Sequence, residues 1–313
     1  MTSSLRVASF LPAATEIVCA LEMGSSLVLR SHECDHPPWV TALPAATGSK
    51  LDADGRSYGI HERVRGLLQE GLSVYRVHGE LLQELRPHVL VTQEHCEACA
   101  VGPEQVVDAV RSFLDDSVTV VSLEGETLEG VEEDFRKVAR ALDVEADGHE
   151  LVAQFRARLA RVGRRSLGES RPRVAVLEWM EPLMGAGNWV PELVSLAGGT
   201  PVFGEPGMHS PWLEEGRLEA EDPEVLVLAP CGYTVERTLG GLTTITARPE
   251  WGRLSAVRER RVYVADGHHY FNRPGPRLAD SAEVLAEILH SGRDQGDPGP
   301  SGPMWVRVDG EVG

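Results

Sequence analysis

Short apolar segments alternate with helix-like segments along most of this chain. Segments with the composition of buried strands lie at residues 5–10, 88–92 and 118–122, and segments with helical periodicity lie between them. Neighbouring parallel strands need a crossover connection, which is usually a helix. The alternation therefore predicts the α/β fold class, with a mainly parallel sheet covered by helices.

The middle of the chain breaks this alternation. Residues 128–142 and 146–163 have helical periodicity and are rich in Glu, Arg and Ala, and no strand-like segment separates them. Strand-like segments return at 173–177, 223–228 and 262–265. Two α/β halves joined by a helical connector are therefore expected.

The length supports this division, because 313 residues fit about two domains of ~150 residues each. ELRPHVLVTQ in the first half and AEDPEVLVLAP in the second half share the order helix, Pro, apolar strand, which indicates lobes of similar design. The predicted domains are an N-terminal α/β lobe (1–125), a helical connector (126–168), a C-terminal α/β lobe (169–290) and a flexible tail (291–313). Within that tail, residues 304–308 are an alternative edge strand.

Charge and hydropathy exclude several classes of partner. Asp and Glu number 48 against 30 Lys and Arg, a formal net charge of −18, whereas a duplex-binding protein needs a positive face. No nucleic-acid partner is therefore expected. The sequence has no apolar run of about 18 residues, so no membrane span is predicted. The N-terminal segment lacks the basic start, clean apolar core and small-residue cleavage site of a signal peptide, which predicts a cytoplasmic protein.

Unusual residues concentrate in the loops that follow the predicted strands. Ligands of parallel α/β sheets sit beyond the carboxyl ends of the strands, so these loops are expected to line one cleft between the lobes. The expected contacts of a small-molecule ligand are Pro12, Ala13, Thr15, His32, Glu178, Trp179, Asn188, Trp189, Tyr233, His268, His269 and Arg273. Thr15 is also the predicted N-cap of the first helix.

Several of these side chains have an ordinary structural interpretation as well. Trp179 and Trp189 flank a Gly-rich loop and form either a flat apolar platform for a ligand or part of the core. Arg273 either pairs with ligand carboxylates or phosphates, or braces its loop. Glu178 and Glu181 are candidate paired carboxylates, but their spacing on a loop fixes no distance between them. Whether the protein catalyses a reaction therefore stays open.

The five cysteines favour metal or thiol chemistry, because an odd number makes a poor disulfide framework. Cys96 and Cys99 form a C-x-x-C pair, in which both sulfurs can face one ion. With Cys34 and Cys231 they offer up to four ligands for zinc or an iron–sulfur cluster. The alternative is that these cysteines are small loop residues without a metal. Cys19 lies on an apolar helix face and is predicted to belong to the core.

Motifs of common nucleotide and hydrolase sites are missing from the sequence. It contains no G-x-x-x-x-G-K-[ST], no G-x-G-x-x-G after a strand, no G-x-S-x-G and no H-E-x-x-H. Nucleotide hydrolysis, a dinucleotide site and a serine-hydrolase elbow therefore lose support.

Several segments resemble the cobalamin and iron-siderophore type of ABC-transporter substrate-binding proteins. They are RVASFLPAATEIVCALEMGSSLV at the start, ELRPHVLVTQ, and PEWGRLSAVRERRVYVADG with RPGPRLADSAEVLAEIL near the end. The likeness covers about residues 5–290. It is closest to a branch of cobalamin-binding proteins that has the elements SHECD (31–35), C-E-x-C-A-V (96–101), LEW (177–179) and APCG (229–232). The resemblance implies two Rossmann-like lobes with parallel sheets, a long connecting helix and a ligand in the cleft between the lobes.

The resemblance further implies a binding protein, without catalysis, for a corrinoid (cobalamin-type) or related tetrapyrrole-like metal cofactor. Such a macrocycle would lie between the loops at 12–15 and 179–189. The candidate contacts of its metal are His32, His268, His269, Cys34 and Cys96. Transport members of the family are exported, whereas the N-terminal segment of this chain predicts a cytoplasmic location.

Two alternatives remain beside this hypothesis. The first is a metalloenzyme, or a metal- or iron–sulfur-binding protein, that uses Cys34, Cys96, Cys99 and Cys231 as ligands. The second is an ABC-transporter solute receptor whose start was misassigned, with an ABC permease as partner only if the protein is exported.

Overall fold

The computed structural model describes residues 5–49, 59–63, 75–93, 117–300 and 302–308. The chain forms two compact units. The first unit comprises Met1–Asp54, Glu62–Gly125 and Glu129–Phe155, and the second comprises Gly55–His61, Glu126–Leu128 and Arg156–Gly313.

The first unit has a four-stranded parallel sheet flanked by helices. Its strands are β1 (Val7–Ser9), β2 (Leu27–Leu29), β3 (Thr47–Ser49), β4 (Tyr75–Val77), β5 (Val89–Gln93) and β6 (Thr119–Leu123). The parallel sheet has the order β2-β1-β5-β6, and β3 and β4 form a separate antiparallel pair. Helix α1 (Pro12–Ala20) follows β1, and helix α2 (Gly79–Leu85) precedes β5.

Apolar side chains from strands and helices fill the core of the first unit. Ala8, Leu29 and Leu90 from the sheet pack in one cluster with Leu82 from α2, and all four are inaccessible to solvent. The strand β5 is apolar at consecutive positions, not alternate ones, which is typical of a parallel strand buried on both faces.

Helix α1 begins earlier than its sequence predicts, so the prediction that Thr15 is its N-cap is wrong. Pro12 occupies the first turn, where the N–H that proline lacks would have no partner within the helix. Thr15 lies one turn inside the helix and is fully buried. Its hydroxyl is 2.7 Å from the hydroxyl of Ser9, at the end of β1.

The helical middle of the chain consists of α3 (Leu128–Ala141) and α4 (Glu145–Arg165). Helix α4 begins in the first unit and ends in the second. Gly148 lets the two helices approach closely, because a Cβ atom there would lie 2.4 Å from the Cβ atom of Ala139. The rings of Phe135 and Phe155 also meet edge to face, with centroids 5.4 Å apart.

The second unit has a six-stranded sheet. Its strands are β7 (Arg173–Met180), β8 (Leu183–Gly185), β9 (Thr200–Pro201), β10 (Val225–Leu228), β11 (Val262–Ala265), β12 (Pro298–Gly299), β13 (Gly302–Pro303) and β14 (Trp305–Arg307). The sheet has the order β14-β11-β10-β7-β8, β9 pairs with β7, and β12 and β13 pair with each other. Strands β9, β7, β10 and β11 are parallel, whereas β8 and β14 are antiparallel to their neighbours.

Helices of the second unit are mostly short. They are α5 (Val190–Leu196), α6 (Arg217–Glu221), α7 (Val235–Gly240), α8 (Thr243–Thr246), α9 (Ser255–Arg258) and α10 (Leu278–His290), and Gly267–Phe271 form a π-helical turn. Two units with parallel sheets confirm the predicted α/β fold class. None of the helices in the described part of the chain is long and apolar enough to cross a membrane.

The described part of the predicted flexible tail packs on the second sheet. Strand β14 pairs with β11, as the alternative interpretation of residues 304–308 predicted. The side chain of Trp305 is completely buried. The Gly- and Pro-rich composition favoured a mobile segment, but burial of one large aromatic side chain supplies a contact that composition does not reveal.

Candidate functional site

The carboxyl ends of β7, β10 and β11 lie side by side, because these strands are parallel neighbours. Residues 178–189, 229–234 and 266–277 lie at this edge or lead away from it. Such an edge is the usual place for a ligand in a parallel α/β sheet. We call it the carboxyl edge of the second unit.

Two aromatic rings and a guanidinium group form a stack at the carboxyl edge. The rings of Trp179 and Tyr233 meet edge to face with centroids 5.5 Å apart, and the guanidinium carbon of Arg237 lies 4.0 Å from the centroid of the Tyr233 ring. Tyr233 is only 5% exposed, and its hydroxyl has no hydrogen-bond partner within the described residues. A buried polar group without a hydrogen bond costs about 1–3 kcal/mol in desolvation free energy. A polar ligand atom or a water molecule that bonded to this hydroxyl would offset that cost.

Glu178, the residue before Trp179 in the sequence, forms a hydrogen bond with Ser210. Ser210 Oγ donates to Glu178 Oε2 at 2.6 Å and accepts the backbone N–H of Gly187 at 3.0 Å. Burial raises the pKa of Glu178, and Ser210 and His209 partly oppose this shift. The carboxyl group can therefore accept a hydrogen bond when ionised and donate one when protonated.

An aspartate orients a histidine in the turn after β11. Asp266 Oδ1 accepts the backbone N–H of His269 at 2.9 Å, and Asp266 Oδ2 lies 2.8 Å from His269 Nδ1. Both residues are buried, with 2% and 6% exposure. In neutral His269 this bond places the proton on Nδ1, so that Nε2 carries the lone pair.

The neighbouring His268 has a different set of partners. Its Nε2 atom accepts a hydrogen bond of 3.0 Å from Arg273 Nη2, because an arginine can only donate. Its backbone N–H donates to the carbonyl oxygen of Tyr233, which ties the loops after β10 and β11 together. The rings of His268 and His269 meet edge to face with centroids 4.5 Å apart.

Trp189 and Asn188 occupy structural positions. Trp189 is 7% exposed, and its Nε1–H donates to the carbonyl oxygen of Phe271 at 2.9 Å, which agrees with the core interpretation of this tryptophan. Asn188 has a φ of 51°, and its backbone N–H donates to the carbonyl oxygen of Met208.

Two of the predicted ligand residues of the first unit, Thr15 and His32, make polar contacts, and the other two, Pro12 and Ala13, lie at the start of α1. The hydroxyl of Thr15 is 3.0 Å from the sulfur of Cys34, and both residues are buried. His32 Nδ1 lies 2.8 Å from the Thr47 hydroxyl, and burial lowers the pKa of His32 against the opposing effect of Glu33. Pro12 and Ala13 form the first turn of α1, where Pro12 is half-buried and Ala13 is buried.

Three of the five cysteines, Cys19, Cys34 and Cys231, lie in the described residues. Cys34 belongs to the first unit and Cys231 to the second, where its backbone N–H donates to the carbonyl oxygen of Glu178. Cys96 and Cys99 lie outside the described residues, so the four-cysteine metal site stays a prediction. Burial raises the pKa of Cys19 to about 11, as expected for a packed thiol without nucleophilic function.

The sequence patterns did not indicate the segment at residues 208–212, which completes the carboxyl edge. Ser210 and the exposed side chains of Met208 and Trp212 lie in a stretch without strand-like or helical periodicity. This stretch pairs with residues 184–188 through backbone hydrogen bonds. The sequence patterns did not indicate Arg237 either. It lies within α7, four positions after Tyr233, and the predicted site residues came from the loop before that helix.

A family model and a curated relative both match most of the length of this chain. A model of the family described as "Periplasmic binding protein" matches residues 11–268. The vitamin B12-binding protein of Vibrio cholerae is 22% identical over 294 residues, which are 93% of this chain and 91% of that protein.

Solved structures of several periplasmic proteins share the fold. The periplasmic vitamin B12-binding protein BtuF of Vibrio cholerae has a TM-score of 0.65 at 20% identity and covers 91% of this chain and 96% of its own. The periplasmic heme-binding protein RhuT from Roseiflexus sp. RS-1 has a TM-score of 0.68 at 22% identity and covers 92% and 99%. A periplasmic heme-binding protein from Pseudomonas aeruginosa has a TM-score of 0.70 at 19% identity and covers 98% and 99%.

These comparisons overturn the predicted cytoplasmic location. The matching family model is that of periplasmic binding proteins, and the similar solved structures are of periplasmic proteins. The prediction relied on the first residues of the chain and on a short pattern that is weak in any single sequence. The cytoplasmic prediction is therefore wrong.

Proposed function

The chain belongs to the periplasmic binding protein family and is a substrate-binding protein of the cobalamin, heme and siderophore class, and from this premise we propose that it binds a corrinoid of the cobalamin type. The relative named for vitamin B12 aligns with nearly the whole chain. The corrinoid is bound as a ligand, and no catalytic step is proposed.

The observation that carries the proposal is the carboxylate-oriented imidazole of His269 at the carboxyl edge. An imidazole whose Nδ1 is held by Asp266 presents Nε2 to a metal, and imidazole is a common ligand of transition metals. His268 is less suited, because its Nε2 lone pair accepts the hydrogen bond from Arg273. Of the histidines suggested as metal contacts, His269 is therefore the one we assign to the metal of the macrocycle.

The aromatic stack and the Glu178–Ser210 pair suit the body and rim of a corrinoid. Trp179 offers an apolar ring at the same sheet edge, against which a macrocycle can pack. A corrinoid carries amide groups around its rim, whereas heme carries carboxylates. The Glu178 carboxylate accepts amide N–H groups and repels carboxylates, which favours the corrinoid.

We further propose that the protein acts outside the cytoplasm and delivers its ligand to an ABC permease. This is the role of a receptor in a transport system of the periplasmic binding protein family. The sequence alone predicted a cytoplasmic binding protein and gave an ABC-transporter solute receptor as an alternative. We now propose the receptor role.

Calorimetric titration of the full-length protein with cyanocobalamin, aquocobalamin and hemin tests the proposed ligand. The cobalt of aquocobalamin carries a water molecule that the imidazole of His269 can displace, so this corrinoid also tests the metal contact. We expect micromolar or tighter binding of the two corrinoids and weaker binding of hemin. The Trp179→Ala variant should bind cyanocobalamin about tenfold more weakly, because a ring that packs against the macrocycle is lost.

The matched control is Trp251→Ala. Trp251 is a half-buried tryptophan of the same unit that packs against the core instead of the carboxyl edge. This variant should lose stability but keep the corrinoid affinity of the original protein. Absence of heat and of a change in visible absorption with both corrinoids would overturn the proposal, as would preferential binding of hemin.

A further inference from the structure

Residues 294–300 and 302–308 run back along the second unit and pack beside the turn that carries His269. We call these residues the C-terminal strap. Its strand β14 pairs antiparallel with β11 through the partners Ala265 and Trp305, Val264 and Val306. Val308 adds a backbone hydrogen bond to Val262, so that the strap follows the whole length of β11.

Trp305 anchors the strap in the second unit. Its side chain is completely buried and meets the ring of Tyr263 edge to face, with centroids 5.7 Å apart. Its Nε1–H donates to Glu287 Oε2 on α10 at 3.1 Å. The strap folds over the indole ring at Gly296, where a Cβ atom would lie only 2.4 Å from an indole carbon. Such an anchor fixes a segment whose Gly- and Pro-rich sequence gives it few other apolar contacts.

The strap contacts both ends of the histidine-bearing turn. At one end, the carbonyl oxygen of Met304 accepts the backbone N–H of Asp266 at 2.9 Å. At the other end, Gly299 lies against the Tyr270 side chain, because a Cβ atom on this glycine would be 2.7 Å from the Tyr270 hydroxyl. Asp266 in turn accepts both hydrogen bonds from His269. A continuous series of contacts thus joins Trp305 to the imidazole.

We propose that the C-terminal strap is a positioning element of the ligand site and that Trp305 is its positioning residue. Trp305 holds β14 on β11, Met304 then holds Asp266, and Asp266 sets the orientation of the His269 imidazole. The inference rests on the proposed function only in treating His269 as a ligand contact. Loss of a group that orients a metal-binding histidine typically lowers affinity 10- to 100-fold, so a comparable effect is expected for the strap, in the order of ~10-fold or more.

Nuclear magnetic resonance of the full-length protein with 15N-labelled histidine tests the positioning role directly. The Nδ1–H proton of His269, identified by its loss in His269→Gln, should be visible and slow to exchange because Asp266 holds it. Trp305→Ala should abolish or broaden this signal and weaken the binding of aquocobalamin, whose cobalt-bound water the imidazole can displace, at least about tenfold. Trp305→Phe, which keeps a buried ring, should restore both.

The matched control is Phe135→Ala, which removes an equally buried aromatic ring from the first unit. It should lower the midpoint of thermal unfolding but leave the His269 signal and the corrinoid affinity unchanged. If Trp305→Ala fails to fold, Gly296→Ala replaces it, because a methyl group there displaces the strap without opening a cavity.

The outcomes separate this inference from the proposed function. A Trp305→Ala protein that is destabilised but keeps both the Nδ1–H signal and the affinity would overturn the positioning role. If the original protein binds no corrinoid, the proposed function fails, and the Nδ1–H signal alone still decides whether the strap orients His269.

Discussion

Glu178 and Ser210 share a hydrogen bond of 2.6 Å at the carboxyl edge, and the burial of the carboxyl group raises its pKa above the ordinary value of 4.5. The folded protein therefore binds more protons than the unfolded chain at pH values just above this ordinary value. Stability then falls as the pH rises through that window, because the buried carboxyl group must ionise in the folded state.

Replacing Glu178 by Gln removes the ionisation and keeps a group that can accept the bond from Ser210. We expect Glu178→Gln to gain stability relative to the original protein as the pH rises from about 4.5 towards 7, and to show little gain at pH 4. Urea unfolding at a series of pH values measures this difference. The exposed Glu236→Gln of the same unit is the control for removal of one negative charge. A gain for Glu178→Gln that is independent of pH would contradict the raised pKa.

At the scale of single residues, the sequence could indicate positions but not partners. Glu178, Tyr233 and His269 were predicted because each lies at or just after the carboxyl end of a strand, which a local pattern reveals. The bond between Glu178 and Ser210 spans 32 positions and involves a segment without periodicity. The different roles of His268 and His269 also depend on which of them meets Asp266 or Arg273, and adjacent residues of one type cannot reveal that.

The segment that completes the carboxyl edge is held in place by a close backbone approach. Gly187 lies against the stretch around Ser210, and a Cβ atom on Gly187 would be 2.5 Å from the carbonyl oxygen of Met208 and 2.7 Å from the backbone nitrogen of Ser210. Backbone atoms cannot move aside as a flexible side chain can. Only glycine therefore allows the two segments to pair and Ser210 to reach Glu178.

We expect Gly187→Ala to lower the free energy of unfolding by about 2 kcal/mol or more, because the added methyl group forces the paired backbones apart. The variant should also show a larger pH-dependent effect of Glu178, because displacement of Ser210 removes a hydrogen bond that opposes the rise in the pKa of this carboxyl group. Urea unfolding measures both quantities. The matched control is Gly240→Ala in α7, where the added atom meets nothing within 4 Å and should be neutral or stabilising by up to about 1 kcal/mol. Equal stability of the two variants would contradict the close approach.

At the scale of elements, local patterns predicted the strands better than they predicted where helices begin or whether the C-terminal residues pack on the sheet. Strand β11 has the predicted bounds, because a short apolar run flanked by charged residues has one interpretation. Helix α1 begins three residues before the predicted cap, since proline fits the first turn as well as it ends a strand. The packing of β14 depends on a pocket for Trp305 that is formed by residues distant in sequence.

For the whole molecule, repetition of a local pattern was sufficient to predict two α/β units. Each unit has a parallel sheet, and the helical middle that lacks strands in the sequence also lacks them in the structure over residues 128–165. Location was not predictable in the same way. The prediction relied on the residues at the start of the chain, and a short N-terminal pattern is a weak guide to the compartment in which a protein works.

Fractionation of cells of the source organism tests the role outside the cytoplasm. A receptor that delivers its ligand to a permease has to meet that ligand on the outer side of the membrane. We therefore expect immunodetection to find the full-length protein with exported binding proteins and apart from a cytoplasmic marker enzyme. Uptake of radiolabelled cyanocobalamin should fall when the gene is deleted and recover when it is restored, whereas a Trp179→Ala copy should restore uptake only in part at limiting ligand. Recovery of the protein solely with the cytoplasmic marker would contradict the receptor role even if purified protein binds corrinoids, because ligand binding and delivery to a permease are separate requirements.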